Sequence, residues 1–369
     1  MSLIDFNSEQ KLIESEIKRF SQIEIEPQSS EIEKKGIFPT EIIKKLSDLG
    51  FLSLIIPEKY GGASLDTTSL CIVLEELSKV CASIGTILAV NNCLVAYPLL
   101  KYASEEKKEY YLPKLAKGTI GAHVTELGIN SSDRKVEIRE AGGNNYLSGK
   151  WNFVLNGEVA DFFVIPISLT DHKTLYLFER NSNINSIKHD ILGLKTAGIV
   201  GIELNNLELK EDDYLLSGED IGGSFQGVLN YSNIGFSAIS LGIAEAAYDA
   251  SVNYSKERRQ FGRAICEFPM IQDMLVEMKT KIDAAKLLVY TAAAKCDDEQ
   301  YYSLQACIAR LQSGAAAVYS GIKAIQIHGG YGYTKEYPVE RYLREAKVIQ
   351  VLHQTPYDLK LIIAKELLR

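Results

Sequence analysis

The sequence lacks an excess of positive charge. Its 369 residues carry 40 Lys and Arg against 48 Asp and Glu, for a formal net charge of −8. This balance leaves no overall basic surface for nucleic acid or anionic lipid. We therefore expect any anionic ligand to bind at a local cationic site.

Paired cysteines and metal-ligand clusters are also missing. The six cysteines stand at positions 71, 81, 93, 266, 296 and 307, and none forms a Cys-x-x-Cys pair or stands at metal-ligand spacing from a histidine. This scatter is typical of reduced thiols in a cytoplasmic protein. It predicts no metal site.

Long apolar runs are absent as well. No segment reaches about 18 apolar residues without polar residues between them, which predicts no membrane span. The opening residues, MSLIDFNSEQKLIESEIKRF, carry acids at helical spacing instead of a charged segment followed by an apolar one. We therefore expect no targeting leader and a cytoplasmic location.

What the chain does contain divides into three parts. Residues 1–118 show apolar residues at three- and four-residue spacing, as in PTEIIKKLSDLG, which indicates helices. Across residues 119–222 the spacing shortens toward two, and NNYLSGKWNFVLNG, ADFFVIPISL and KTLYLFER indicate strands. Long helical patterns fill residues 223–369. The prediction is an α+β fold: an N-terminal helical domain, a middle β-sandwich or barrel domain, and a C-terminal four-helix bundle.

Five segments in chain order resemble the acyl-CoA dehydrogenase family, and together they span nearly the whole chain. They are PEKYGGASLD, VLEELSKVCASIG, AHVTELGINSSD, YSKERRQFGRAICEFPMIQDMLVEM and QIHGGYGYTKEYPVERYLREAK. The resemblance implies an FAD-dependent enzyme that dehydrogenates an acyl thioester between its α and β carbons. It also implies a second flavoprotein as electron acceptor, and a homodimer or homotetramer.

The resemblance assigns two sets of cofactor residues. One set would grip the ADP half of a neighbouring subunit's FAD, where the anionic pyrophosphate needs cations, backbone N–H groups or close glycines: Arg258, Gln260, Phe261, Gln326, Gly329 and Gly330. The other set would hold the flavin ring against the β domain: Val124, Thr125, Ser131, Phe153 and Leu155. Simpler alternatives are a surface ion pair of Arg258 with Glu257 or Glu245, a strand residue at Thr125, and a helix C-cap at the two glycines.

Departures from the family pattern bear on the chemistry. Leu155 stands where a hydroxyl residue usually hydrogen-bonds the flavin, so we expect altered flavin reactivity. Asn233 stands where the family commonly has an Arg that places the substrate. The missing Arg disfavours an ordinary fatty acyl-CoA as substrate and favours an acyl-carrier protein in a specialised pathway. We assign Ser232 together with Asn233 to the substrate site. Ser232 marks the place where some members carry the catalytic base, so no displaced carboxylate is visible there.

The largest departure is His353. Pro338 and Pro356 are suited to open the helices on either side, with Thr355 as N-cap, so residues 353–355 form a short loop. The family's catalytic Glu aligns with His353, and Thr355 aligns with a family threonine that we assign to the cofactor site. His353 is a general base, an oxygenation residue of the flavin monooxygenases that share this fold, or a filler in a site without dehydrogenation. We favour the base, since an unperturbed pKa of about 6.5 suits neutral pH. The other four histidines carry no comparable signal.

Overall fold

The computed structural model describes residues 3–124, 136–169, 172–210, 213, 215 and 221–368. Within these residues helices come first, strands follow, and long helices return, as the hydrophobic spacing predicts. The first part contains α1 to α7, at Ser8–Phe20, Ser29–Lys35, Thr40–Asp48, Thr67–Val80, Ala82–Ala89, Tyr97–Tyr102 and Glu105–Ala116.

Local sequence explains where these helices begin and end. At the start of α1, Asn7 and Gln10 form a reciprocal cap in which each side chain accepts a hydrogen bond from the other residue's backbone N–H. The Asp66 carboxylate accepts the backbone N–H of Ser69 at 2.6 Å and so caps α4. After α3, Gly50 takes a φ of +81°, a conformation that favours glycine and lets the helix stop.

Residues Ala82–Tyr102 form one continuous helical run that is long and apolar enough to cross a membrane by length and composition. The sequence predicts no membrane span, because polar residues interrupt this run, although its length and mean hydropathy match those of a span. In the structure 94% of the tested window is buried inside the protein. Asn91 and Asn92 each donate a hydrogen bond to the carbonyl of Leu52, so the run is a core helix of this fold.

The middle part contains β1 to β7, at Gly121–Val124, Glu137–Ala141, Asn144–Leu155, Phe162–Leu169, His172–Glu179, Ile184–Lys188 and Val200–Leu209. They pair in one mixed sheet in the order β5-β4-β1-β3-β7-β6, and β2 pairs with β3 as well. β1 and β4 run parallel. The predicted β region is thus confirmed, but as a single sheet. The twelve-residue β3 is long enough to pair with β2 near its start and with β1 at its end.

The last part begins with α8, Ile221–Glu257, followed by a hairpin of β8, Arg259–Gln260, and β9, Arg263–Ala264. The remaining helices are α9, Pro269–Asp297; α10, Ser303–His328; α11, Val339–Val351; and α12, Pro356–Leu367. α10 packs against α8, α9 and α11, which confirms the predicted bundle.

A group of charged side chains connects α4 with α8 and α9. We call Glu75, Glu76, Lys79, Glu245 and Lys286 the junction cluster. Lys79 Nζ lies 2.5 Å from a Glu76 oxygen and 2.6 Å from a Glu245 oxygen. Lys286 Nζ lies 2.7 Å from Glu75 and 3.0 Å from Glu245. The junction cluster therefore ties the N-terminal helices to the bundle through paired charges.

Candidate active site

The loop between α11 and α12 is fixed at both ends. Thr355 caps α12: its hydroxyl accepts the backbone N–H of Asp358 at 3.2 Å and donates to the Asp358 carboxylate at 2.8 Å. This confirms the predicted cap. The Thr355 hydroxyl already donates its proton to Asp358. Its role at the cofactor therefore stays a prediction, and in that role the hydroxyl would accept a hydrogen bond.

His353 lies inside this loop with a backbone φ of +64°. That conformation is uncommon for residues other than glycine and marks a strained position. The side chain is 6% exposed. Its ring centroid lies 5.4 Å from that of His123 on β1 and 5.4 Å from that of Phe236 on α8. The loop, β1 and α8 therefore meet at His353.

The alternation of β1 explains why His123 faces the helices. Ala122 and Val124 belong to the apolar core of the sheet. His123 lies between them and points to the other face, since successive strand residues alternate. Its two neighbours across the sheet, Leu155 and Val164, both pack into the helical core. The face of the sheet that holds His123 and Leu155 is thus the face toward α8.

Burial controls the protonation of His353 and His123. Desolvation lowers the pKa of His353 well below its usual value, and His123 and the Arg310 cation lower it further. Desolvation also lowers the pKa of His123 to about 3. Both rings are therefore neutral at pH 7. Burial lowers the pKa of Arg310 to about 9, so Arg310 remains a cation at neutral pH.

Arg310 holds the end of α11 in place. From α10 its guanidinium donates to the backbone carbonyls of Ile349 and Leu352, and to the Ser240 hydroxyl at 3.2 Å. A cation at the carbonyl end of a helix also complements the helix dipole. Arg310 therefore positions the segment that leads into His353.

Asn233 holds the same loop from α8. Its side-chain amide donates to the Gln354 side-chain oxygen at 2.7 Å, and both residues are buried. The neighbouring Ser232 donates its hydroxyl to the carbonyl of Leu229 on its own helix at 2.8 Å. Of the two predicted substrate residues, Asn233 thus contacts the loop directly, whereas the hydrogen bond of Ser232 stays within α8.

The predicted flavin residues lie partly in this region. Val124 ends β1 in the sheet core, and Leu155 is fully buried on the face toward the helices. Phe153 is half-buried on the same face as Leu155, with its ring centroid 5.9 Å from that of His189. Thr125 and Ser131 lie outside the described residues.

A second site lies at the ends of α8 and α10. Among the residues described there, a cavity of about 680 Å³ is lined by Arg258, Gln260, Phe261, His328, Gly329, Gly330 and Tyr331, together with apolar residues of α9 and α10. Five of the six residues predicted to grip the ADP half of FAD thus share one cavity. The sixth, Gln326, is exposed on α10 and is not among the lining residues.

The chemistry of this cavity fits an adenosine diphosphate group. Arg258 takes part in none of the ion pairs found among the described residues, and Glu245, one of its two alternative partners, binds Lys79 and Lys286 instead. Its guanidinium carbon lies 5.9 Å from the ring centroid of Tyr331. A cation with no ion-pair partner in the described part of the chain suits a pyrophosphate, and aromatic walls suit an adenine.

Comparison with known proteins decides the family. Residues 7–119 match the N-terminal domain model of acyl-CoA dehydrogenase, and residues 223–368 match its C-terminal domain model. A short-chain specific acyl-CoA dehydrogenase of Clostridium acetobutylicum is 35% identical over 386 residues, 99% of this chain and 100% of that protein. The chain belongs to the acyl-CoA dehydrogenase family. It is therefore a flavoprotein oxidoreductase that uses FAD, and the family's activity is dehydrogenation of acyl thioesters.

Other relatives of this acyl-CoA dehydrogenase family member differ in activity. A 3-(aryl)acrylate reductase of Clostridium sporogenes is 34% identical over 381 residues, 99% of this chain and 100% of that protein. The structure of butyryl-CoA dehydrogenase from Megasphaera elsdenii superposes with a TM-score of 0.93 at 30% identity, with all of both chains covered.

Two further solved structures have the same fold. A chain in a structure of the electron transferring flavoprotein of Acidaminococcus fermentans gives a TM-score of 0.93 at 33% identity, with all of both chains covered. The prolyl acyl carrier protein oxidase AnaB gives 0.90 at 29% identity, over 98% of this chain and 100% of that one.

The sequence alone does not identify two residues beside His353. It gives His123 no signal comparable to that of His353, and it predicts no role for Arg310. The strand pattern of AHV carries a signal for His123, because a histidine between two core-facing residues must point to the opposite face. No local pattern brings Arg310 to the end of α11, since the two are far apart in sequence.

Proposed function

We propose that this protein catalyses FAD-dependent α,β-dehydrogenation of an acyl thioester, with His353 as the group that takes the α-proton. The observation that carries the proposal is the burial of His353 Nε2 without a hydrogen-bond partner among the described residues. His353 occupies the loop position at which the sequence resemblance puts the family's catalytic carboxylate. FAD, when bound, supplies the acceptor for the hydride that leaves the β-carbon.

A neutral imidazole is in the correct state to accept a proton. The lowered pKa of His353 keeps the ring neutral at pH 7, so protonation does not block it. The same burial makes the ring a weak base, because the charged form would be desolvated and would also lie near the Arg310 cation. Proton removal by His353 therefore depends on an α-carbon made more acidic by the thioester carbonyl and its surroundings.

For the substrate we propose an acyl-CoA or an acyl-carrier protein. Asn233, which stands in place of the family's common Arg, hydrogen-bonds to Gln354 and contributes no charge. The 29% identity with a prolyl acyl carrier protein oxidase supports the carrier-protein option. For the electron acceptor we propose a second flavoprotein, which the similarity to a chain from the electron transferring flavoprotein structure supports. The proposed location is the cytoplasm.

The experiment is anaerobic flavin reduction with a panel of acyl-CoA and acyl-carrier thioesters. Loss of the flavin's visible absorbance on mixing supports dehydrogenation. His353→Ala should slow that loss, whereas His353→Glu, which restores the family's residue, should retain or recover it. If no thioester bleaches the flavin, or if His353→Ala is as fast as the unmodified protein, the proposed role of His353 is wrong.

A second candidate follows from the low basicity of His353. In a flavin monooxygenase of the same fold, a neutral buried histidine can act through hydrogen bonds without removing a proton. This candidate requires reduced FAD from an external donor, O₂ as co-substrate, and a hydroxylated product together with water. Oxygen uptake that depends on an organic substrate, with no anaerobic bleaching by any thioester, would favour it.

We also propose that the ADP cavity is completed by a second copy of the chain. Large apolar side chains at and near the cavity are solvent-exposed in the single chain: Phe261 by 93%, Tyr333 by 79% and Met270 by 75%. Exposed apolar patches of this kind are typical of interfaces, and most soluble oligomers are symmetric. The expected assembly is a homodimer or homotetramer.

Arg258→Ala tests this shared site. The variant should lose FAD on gel filtration and should associate less strongly in light scattering. Arg259→Ala is the matched control, because Arg259 is also exposed but does not line the cavity. A monomer that retains FAD would contradict the proposal.

A further inference from the structure

Two buried imidazole nitrogens meet beside the loop after α11. His123 Nδ1 and His353 Nε2 are both buried, and neither has a hydrogen-bond partner among the described residues. The two rings are neighbours, with centroids 5.4 Å apart and planes inclined by 45°. Buried polar atoms in proteins are nearly always hydrogen-bonded, so two unpaired atoms at one place need an explanation.

Apolar side chains flank the two rings. Leu155 and Val164 flank His123 in the sheet, and the Phe236 ring contacts His353 from α8. Ligand pockets are commonly apolar with a few polar atoms that fix the orientation of the ligand. The two nitrogens are such polar atoms, contributed by two different elements of the fold.

The charges around the rings restrict the ligand to a neutral group. His123 on β1 and Arg310 on α10 are the titratable groups that act on His353, and no described carboxylate is among them. The Arg310 guanidinium donates to backbone carbonyls and to Ser240, so it is already hydrogen-bonded. A neutral imidazole nitrogen donates or accepts according to its tautomer. A hydroxyl group, which is neutral and can both donate and accept, matches either tautomer.

We propose that His123 Nδ1, beside the proposed base His353, recognises a hydroxyl on the acyl group, so that the enzyme prefers a hydroxy-substituted acyl thioester to the unsubstituted alkyl one. This inference rests on the proposed function. An alkyl chain would leave His123 Nδ1 buried without a partner among the described residues, and a site with buried polar groups rejects ligands that cannot pair with them. His123 thereby becomes a specificity residue.

Direct binding tests the preference without turnover. The probes are S-butyl-pantetheine and S-(3-hydroxybutyl)-pantetheine, whose arm is common to CoA and carrier proteins and which lack an acidic α-proton. Calorimetry on the FAD-loaded protein should show that the hydroxylated probe binds about tenfold more tightly, the scale of one hydrogen bond. Equal affinity for the two probes, or tighter binding of the alkyl probe, would overturn the inference.

Substitutions at His123 assign the preference to that residue. His123→Leu should abolish the tenfold difference and should raise the melting temperature of the ligand-free protein, because it removes a buried unpaired nitrogen. His123→Gln, which keeps a polar group, should retain part of the preference if the leucine variant fails to fold. A preference that survives unchanged in both variants would remove His123 from recognition.

Failure of this inference differs from failure of the proposed function. Bleaching of the flavin by butanoyl thioesters, with no preference between the two probes, overturns the inference and leaves dehydrogenation in place. No bleaching by any thioester and no binding of either probe overturns the proposed function, and this inference with it.

Discussion

At the junction between α4 and the bundle, each acidic side chain of the junction cluster lies within ion-pair distance of a lysine. Beside the loop after α11, by contrast, two imidazole nitrogens have no described partner, and the Arg310 cation is held by carbonyl and hydroxyl oxygens. Both regions are buried and both contain several titratable groups. They differ in whether the protein itself satisfies those groups.

This difference separates a structural role from a functional one. Buried charges that are fully paired are costly to break and need no ligand to explain them. Buried polar atoms that stay unpaired are unfavourable for stability, and natural proteins retain such features chiefly at functional sites. We therefore expect substitutions in the junction cluster to change stability, and substitutions around His353 to change activity.

The largest expected effect is on stability, at Lys79. Lys79→Met removes the partner shared by Glu75, Glu76 and Glu245, two of which have almost no solvent contact. Removing one member of a buried charge network leaves uncompensated charge and costs about 3–5 kcal/mol. Urea unfolding followed by circular dichroism should show this fall in the apparent free energy of unfolding.

Lys188→Met is the control for Lys79. Lys188 pairs with Glu158 at 2.5 Å, but its side chain is 79% exposed. An exposed pair contributes about 0–1 kcal/mol, so this variant should unfold near the unmodified protein. A similar loss in both variants would mean that burial does not distinguish the junction cluster from a surface pair.

The second-largest expected effect is on the rate of flavin reduction when His353 is replaced. His353→Ala should reduce the rate constant of flavin reduction by about 10²-fold, the usual scale for a general base, with a small change in stability. An unperturbed histidine would lose half of its base form at about pH 6.5. Since burial lowers the pKa of His353, its base form should remain complete down to a lower pH.

Stopped-flow measurements from pH 6 to pH 8.5 check this profile. We expect the reduction rate of the unmodified protein to be nearly constant over that range, and the alanine variant to be slow throughout. A sigmoidal rise with a midpoint near pH 6.5 would show that His353 titrates as an exposed histidine does. In that case water would reach His353 in solution, and its nitrogen would not be a buried group without a partner. The contrast with the paired charges of the junction cluster would then fail.

Much of the fold could be predicted from the sequence, because the signals are local. The period of three and four residues in PTEIIKKLSDLG gave α3, and the shorter period in ADFFVIPISL gave β4. Thr355 before Pro356 identified the start of α12 correctly. The pairing of the strands in one sheet could not be predicted, since it depends on contacts between distant segments.

The site was predictable only in part, for the same reason. The residues predicted to bind the ADP half of FAD stand in two compact motifs, and the structure brings Arg258, Gln260 and Phe261 together with Gly329 and Gly330. The surroundings of His353 come from β1, α8 and α10, and no motif joins those segments. The lowered pKa of His353 was unforeseen because it results from burial and from His123 and Arg310, which only the fold brings close.

The smallest expected effect comes from substitutions of two adjacent residues of α8, Asn233 and Ser232, of which only Asn233 contacts the loop after α11. Asn233→Leu leaves the buried Gln354 side chain without its 2.7 Å partner, at a cost of about 1–3 kcal/mol, and should let the loop shift His353. Ser232→Ala removes a hydrogen bond within α8 and should change stability by about 0.5 kcal/mol or less. Because Asn233 acts through the loop, its variant should lower kcat for thioester oxidation more than it raises KM. A rise in KM alone would assign Asn233 to substrate binding instead of loop support, and equal effects of the two substitutions would show that the Asn233–Gln354 hydrogen bond does not position His353.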